Sequence, residues 1–297
     1  MTKKTILELL QTNQILVSDG ATGTNLQKRG LPHGVTAEQW VLEQPDQIEH
    51  LYRDFIQAGS NIILTCTFGG SPIRLDHVGL SGKAKEVNHQ AARLAHKAAE
   101  GTDVLVAGSI GPSGQMLKPL GLLKVEDAIK SFAEQAKALE EGGVDFLVIE
   151  TQFDITEATA AIQGAQSVSK LPIICSFSYD RGTRTMMGVK PAQMAKAITP
   201  LGVAALGINC GRSLEDNFAV LQELKQNTDL PIWFKPNAGM PELDENNHPI
   251  YSVDPAKMGA NVPQWIEAGV RIIGGCCGSS PQHIHAIAEA VKAHQAG

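Results

Sequence analysis

Eight short apolar runs, each separated from the next by an amphipathic stretch, constrain this chain more than any other feature of its sequence. The runs are Ile15–Ser18, Asn61–Phe68, Asp103–Ile110, Val144–Thr151, Pro172–Ser178, Ala204–Cys210, Pro231–Pro236 and Val270–Gly275. Most are continuously apolar rather than alternating, as strands covered on both faces are. Between and after them, Trp40–Ala58, Lys83–Ala99, Val125–Glu141, Ile155–Ser167, Pro191–Thr199, Leu214–Asn227, Pro255–Ala268 and His283–His294 carry helical spacing. Glycines close several of these helices before the next strand (Gly59, Gly142-Gly143, Gly202, Gly269), where a residue with positive φ is wanted. Eight strand–helix alternations without a Pro- or Ser-rich linker predict one α/β domain over residues 1–297, a single (β/α)8 TIM-type barrel. An open doubly wound sheet is the competitor, and it would not naturally stop at eight units.

Composition narrows the partners. The net charge is −6 and no Lys/Arg block exceeds Lys3-Lys4, so a nucleic-acid partner is not expected. No run approaches the roughly 20 apolar residues that span a bilayer, and the N-terminus turns polar too early for a secretion signal. Five cysteines in 297 residues do not make a disulfide framework. These features predict a soluble, cytoplasmic protein with reduced thiols and no membrane partner.

Chemistry in such a barrel sits where strands end at the C-terminal rim. Here those ends read Asp19-Gly20-Ala21-Thr22-Gly23-Thr24, Thr65-Cys66-Thr67-Phe68-Gly69-Gly70, Glu150-Thr151, Asn209-Cys210-Gly211, Lys235-Pro236-Asn237 and Gly274-Gly275-Cys276-Cys277-Gly278. Cys210 closes the sixth strand and Cys276-Cys277 the eighth, with one strand between them, so their sulfurs can approach one metal. Adjacent cysteines on a regular strand point oppositely, but the flanking glycines let both turn inward. Three thiol ligands with an open fourth position suit catalytic zinc. A vicinal redox disulfide is the alternative, and it leaves Cys210 without a role. A thiol substrate bound to such a centre would be deprotonated yet stay nucleophilic, which suits alkyl transfer to sulfur. Cys66 and Cys175 read as small buried hydrophobes, and His77, His89, His96, His283 and His285 as surface residues.

At these motifs the chain becomes recognisable. DGATGT, TFGG, SIGPSGQMLKPLG, ETQFD, GINCG, KPNAG and GGCCG together resemble the homocysteine S-methyltransferase family, from about Ile15 to the final helix. TFGGSPIRL, MLKPLG and KPNAG look most like the homocysteine-binding module of the cobalamin-dependent methionine synthases. The resemblance implies zinc on Cys210, Cys276 and Cys277, and an amino-acid pocket built from Asp19, Gly20, Thr67 and Glu150. Asp19 and Glu150 could accept the substrate ammonium, and backbone N–H groups at Gly20 and Thr67 could meet its carboxylate. Otherwise Asp19 is a turn residue, and Glu150 pairs with Lys235 or Arg271. Asn209 and Asn237 are expected to orient the site rather than touch substrate, and no catalytic residue beyond the zinc site is expected. No Asp-x-His-x-x-Gly corrinoid-binding run occurs, so methylcobalamin, if it is the donor, is expected on a separate corrinoid protein. Two other readings stay open: homocysteine methylation from S-methylmethionine, S-adenosylmethionine or betaine, and a zinc-thiolate module that binds thiols without turnover.

Overall fold

The computed structural model describes residues 3–243 and 249–296. Eight parallel strands form one sheet. They are β1 (Leu16–Val17), β2 (Ile62–Leu64), β3 (Leu105–Ile110), β4 (Phe146–Gln152), β5 (Ile173–Phe177), β6 (Ala205–Cys210), β7 (Ile232–Pro236) and β8 (Val270–Ile273). The order runs β1-β8-β7-β6-β5-β4-β3-β2. A parallel bridge from Ser18 to Ile62 closes it, with the Asp19 N–H donating to the Ile62 carbonyl at 3.0 Å. The expected barrel is therefore present, and closure removes both sheet edges.

Side chains alternate inward and outward along each strand. The inward set at the lower levels is apolar: Leu16, Ile62, Leu105, Phe146, Ile174, Trp233 and Ile272. A short helix, Ile6–Leu10, caps that end, and Ile6 packs into the barrel's own core. Toward the C-terminal rim the same inward positions turn polar. Ser109, Glu150, Ser176, Asn209 and Lys235 follow Ala107, Val148, Ile174, Gly207 and Trp233 two residues later, and all five are buried. Strand periodicity alone thus builds a polar floor above an apolar plug.

Several local expectations change. Trp40–Ala58 is two helices, Ala37–Glu43 and Pro45–Gln57, because Pro45 cannot continue the first and begins the second. The second strand ends at Leu64, and Thr65–Phe68 is loop. His283 is buried, not superficial: its Nδ1 accepts the Ser280 N–H at 3.1 Å, and its Nε2 lies 2.9 Å from the Val253 carbonyl. Burial holds its pKa below the ordinary histidine value. A short antiparallel hairpin, Pro241–Leu243 with Pro249–Tyr251, rises from the β7 end. Gly59, Gly143, Gly202 and Gly269 all take positive φ, as their places after the helices require. Among the described residues, no helix is long and apolar enough to cross a membrane.

Candidate metal and substrate site

Cys210, Cys276 and Cys277 converge at the rim, with their sulfurs all within 4.8 Å of one another. Cys210 Sγ lies 3.0 Å from Cys276 Sγ. Bringing Cys210 there requires a φ of +60°, which costs a non-glycine residue on the order of 1 kcal/mol. Asparagines offset that cost by capturing the backbone. Asn217 Nδ2 and the Asn237 N–H both donate to the Cys210 carbonyl, at 2.7 and 3.2 Å. The turn continues through Gly211, where a Cβ would sit 2.2 Å from Asn217 Oδ1.

Asn237 joins the two cysteine segments. Its Nδ2 donates to the Gly211 carbonyl at 2.7 Å, and its Oδ1 accepts the Cys277 N–H at 2.9 Å. Asn209 does the equivalent beneath them. Its Oδ1 accepts from Ser176 Oγ at 2.6 Å and the Thr151 N–H at 2.9 Å, while its Nδ2 reaches Thr151 Oγ1 at 2.6 Å and lies 3.5 Å from Cys210 Sγ. Gly278, at φ +81°, lets the chain leave the cysteines beneath Tyr251; a Cβ there would fall 2.3 Å from the Tyr251 ring. Hydrogen bonds from Cys210 and Cys276 pull Cys277 well below the ordinary thiol value, to about 3. The same bonding pushes Cys210 well up. Sulfur ligands on a tetrahedral zinc stand ~3.7 Å apart at the usual ~2.3 Å bond length, a spacing within reach of three sulfurs that all lie within 4.8 Å of one another.

The thiols open into a cavity of about 420 Å³. Gly20, Glu38, Phe68, Glu150, Thr151 and Lys235 are among its other walls. Glu150 accepts a 2.5 Å hydrogen bond from Ser109 Oγ. Burial raises its pKa to about 7, against the pull of Lys235. Lys235 donates to Asp19 Oδ1 at 2.6 Å. Burial works against its charge, but Asp19 and Glu150 outweigh it and hold the pKa above the ordinary lysine value.

The predicted substrate residues occupy different depths. Glu150 and Gly20 line the cavity, whereas Asp19 lies behind it with both oxygens engaged, one by Lys235 and the other by the Leu64 N–H at 2.7 Å. Thr67 is buried, its N–H donating to the Thr65 carbonyl and its Oγ1 to the Ser109 carbonyl. Arg271 turns to the opposite end and bonds the Thr12 carbonyl. Glu38 is a wall residue that the sequence did not reveal. Its Oε1 accepts the Gly69 N–H at 2.6 Å, and burial raises its pKa. It lies just ahead of the helical stretch that begins at Trp40, so nothing in its neighbours marks it. Lys235 was legible, since β7 alternation puts it inward two residues after Trp233.

Fold and site together define a (β/α)8 barrel with three thiols gathered at the rim where this fold carries its chemistry. The chain belongs to the homocysteine S-methyltransferase family, whose model matches residues 16–291. It is 28% identical to the methionine synthase of Mycobacterium leprae over 303 residues, covering 96% of this chain and 25% of that protein. The corresponding identity to the Mycobacterium tuberculosis methionine synthase is 27%. The chain thus spans about a quarter of the length of these curated relatives. Among solved structures, the metallated form of the Escherichia coli homocysteine methyltransferase MmuM matches with a TM-score of 0.81 and 28% identity, covering 95% of this chain and 98% of that one. An N-acetylneuraminate lyase from Mycoplasma synoviae, at 13% identity and a TM-score of 0.54, shares the fold alone.

Proposed function

We propose that this chain transfers a methyl group to the thiol of homocysteine, giving methionine, with zinc held by Cys210, Cys276 and Cys277. The convergence of three thiols on a cavity that also presents Glu150 and Lys235 carries this reading. Zinc bound there would acidify the substrate thiol and keep it as a nucleophilic thiolate. Ionised Glu150 takes the substrate ammonium. Lys235, held by Asp19, and the Gly20 backbone face its carboxylate, while Thr67 fixes the loop behind them. The new S–C bond forms as the donor–methyl bond breaks, and the bonding electron pair leaves with the donor.

For the donor we favour a methylated corrinoid carried by a protein module. Phe68 is the sole aromatic among the cavity's described wall residues, whereas a quaternary ammonium or sulfonium is usually caged by several rings. Phe153 lies in a separate cleft. A small sulfonium or betaine donor is the second reading, favoured by the Glu38 carboxylate in the wall. A side-by-side assay with homocysteine separates them. Methylcobalamin, free or protein-bound, should support methionine formation, with S-methylmethionine and betaine poor. A kcat/KM of about 10⁴ M⁻¹s⁻¹ or more for either small donor, with none for methylcobalamin, reverses the assignment.

A further inference from the structure

The β3 loop, residues 111–124, and the β5 loop, residues 178–190, reach the thiol-bearing rim but contribute no side chain to the cavity wall. Structureless connections of about 12–15 residues are uncommon in a compact domain unless they have work of their own. Residues 153–154 after β4 and the helix Ile155–Val168 that follows tie these two together. Thr185 Oγ1 donates to the Phe153 carbonyl at 2.8 Å, and Glu157 accepts both the N–H and the hydroxyl of Ser113 at 2.8 and 2.6 Å. Met116, Leu120, Phe153 and Met187 line one small cleft across both loops and the β4 end, so the surface is continuous.

That surface exposes apolar side chains from both loops, and the loops carry more cations than acids, while Asp154 and Glu157 lie in the cleft between them. Leu122 is 89% exposed, Leu120 66%, Met186 55% and Met116 48%. Segment 111–124 carries Lys118 and Lys124 and no acid; segment 178–190 carries Arg181, Arg184 and Lys190 against Asp180 alone. None of these five cations joins an ion pair among the described residues. The chain as a whole carries −6, so the patch opposes the overall charge. Exposed apolar anchors on loops with such charges describe a protein-docking surface, and its charge selects an acidic partner and speeds encounter.

We propose that the β3 and β5 loops dock an acidic, apolar-centred face of the protein that carries the methyl group, seating it beside the cavity mouth. This rests on the donor being protein-borne. The test compares wild type with Leu120→Glu/Leu122→Glu/Met186→Glu, using two donors: free methylcobalamin, and the corrinoid module of a methionine synthase loaded with it. The variant should raise KM for the loaded module by about tenfold or more, while rates with free methylcobalamin, homocysteine affinity and the unfolding midpoint stay unchanged. Arg181→Glu/Arg184→Glu should act in the same direction and flatten the dependence of KM on salt. An unchanged KM in both variants overturns the docking site. Wild type that uses free methylcobalamin but not the loaded module also overturns it, with corrinoid chemistry left standing. If neither corrinoid form donates while a small donor does, the donor reading falls and takes the docking site with it. Sedimentation showing a wild-type dimer that the apolar variant dissociates makes the patch a self-interface and likewise overturns the proposal.

Discussion

Glu150 and Asp19, two carboxylates on one floor, do different work because their partners differ. Glu150 binds its proton more tightly when folded, so its contribution to stability is full below the ordinary 4.5 and is lost as pH rises to about 7. Urea unfolding across that window should show wild-type stability falling more than that of Glu150→Gln, which cannot ionise. Substrate binding should run the other way. Homocysteine affinity, measured calorimetrically, should rise through pH 7 as Glu150 becomes the carboxylate an ammonium needs. Asp19 is spoken for by Lys235 and the Leu64 N–H. Asp19→Ala leaves a buried ammonium unpaired and should cost about 3–5 kcal/mol of folding stability, beyond any effect on binding. Replacing Cys210, Cys276 or Cys277 by alanine should remove metal while the barrel stays folded. Zinc retained by Cys276→Ala/Cys277→Ala, by elemental analysis, would refute the ligand set.

The rim segments become a site only when the ends of β6, β7 and β8 are locked together. Asn237 sits at the β7 end, yet it bonds the segment after Cys210 and the N–H of Cys277. Asn237→Ala should therefore weaken zinc binding by about 10–100-fold, the usual range for groups that orient metal ligands, with the melting temperature little changed. Chelator competition reads this directly. The vicinal cysteines were legible because glycines surround them. The positive φ of Cys210 was not, since it comes from two asparagines captured from different segments.

Across the whole molecule, the proposed site and the apolar plug occupy opposite ends of the barrel. The apolar end is closed by the helix Ile6–Leu10, which the strand pattern does not announce because it lies outside the eightfold repeat. Ile6→Ala removes a side chain only 1% exposed and should cost about 2–5 kcal/mol in denaturant unfolding. Zinc content and methyl transfer should be unaffected. A loss of metal in that variant would mean that the two ends are coupled.

What the sequence determined alone follows from its periodicities. Eight apolar runs and eight helical stretches leave little but a closed parallel barrel, and strand alternation already places Glu150, Asn209 and Lys235 inward near the rim. The cysteine motifs GINCG and GGCCG carry the family resemblance by themselves. The tertiary structure decided which polar groups meet. Lys235 is separated from Asp19 by most of the chain, and only closure of β1 against β8, beside β7, brings its ammonium to that carboxylate rather than to Glu150. Glu38 stands in the cavity wall with its carboxylate held by the Gly69 N–H of the loop after β2, and His283 is buried with its ring bonded to Ser280 and Val253. Periodicity encodes which face of an element a residue occupies; the partner across that face exists only once the barrel has closed.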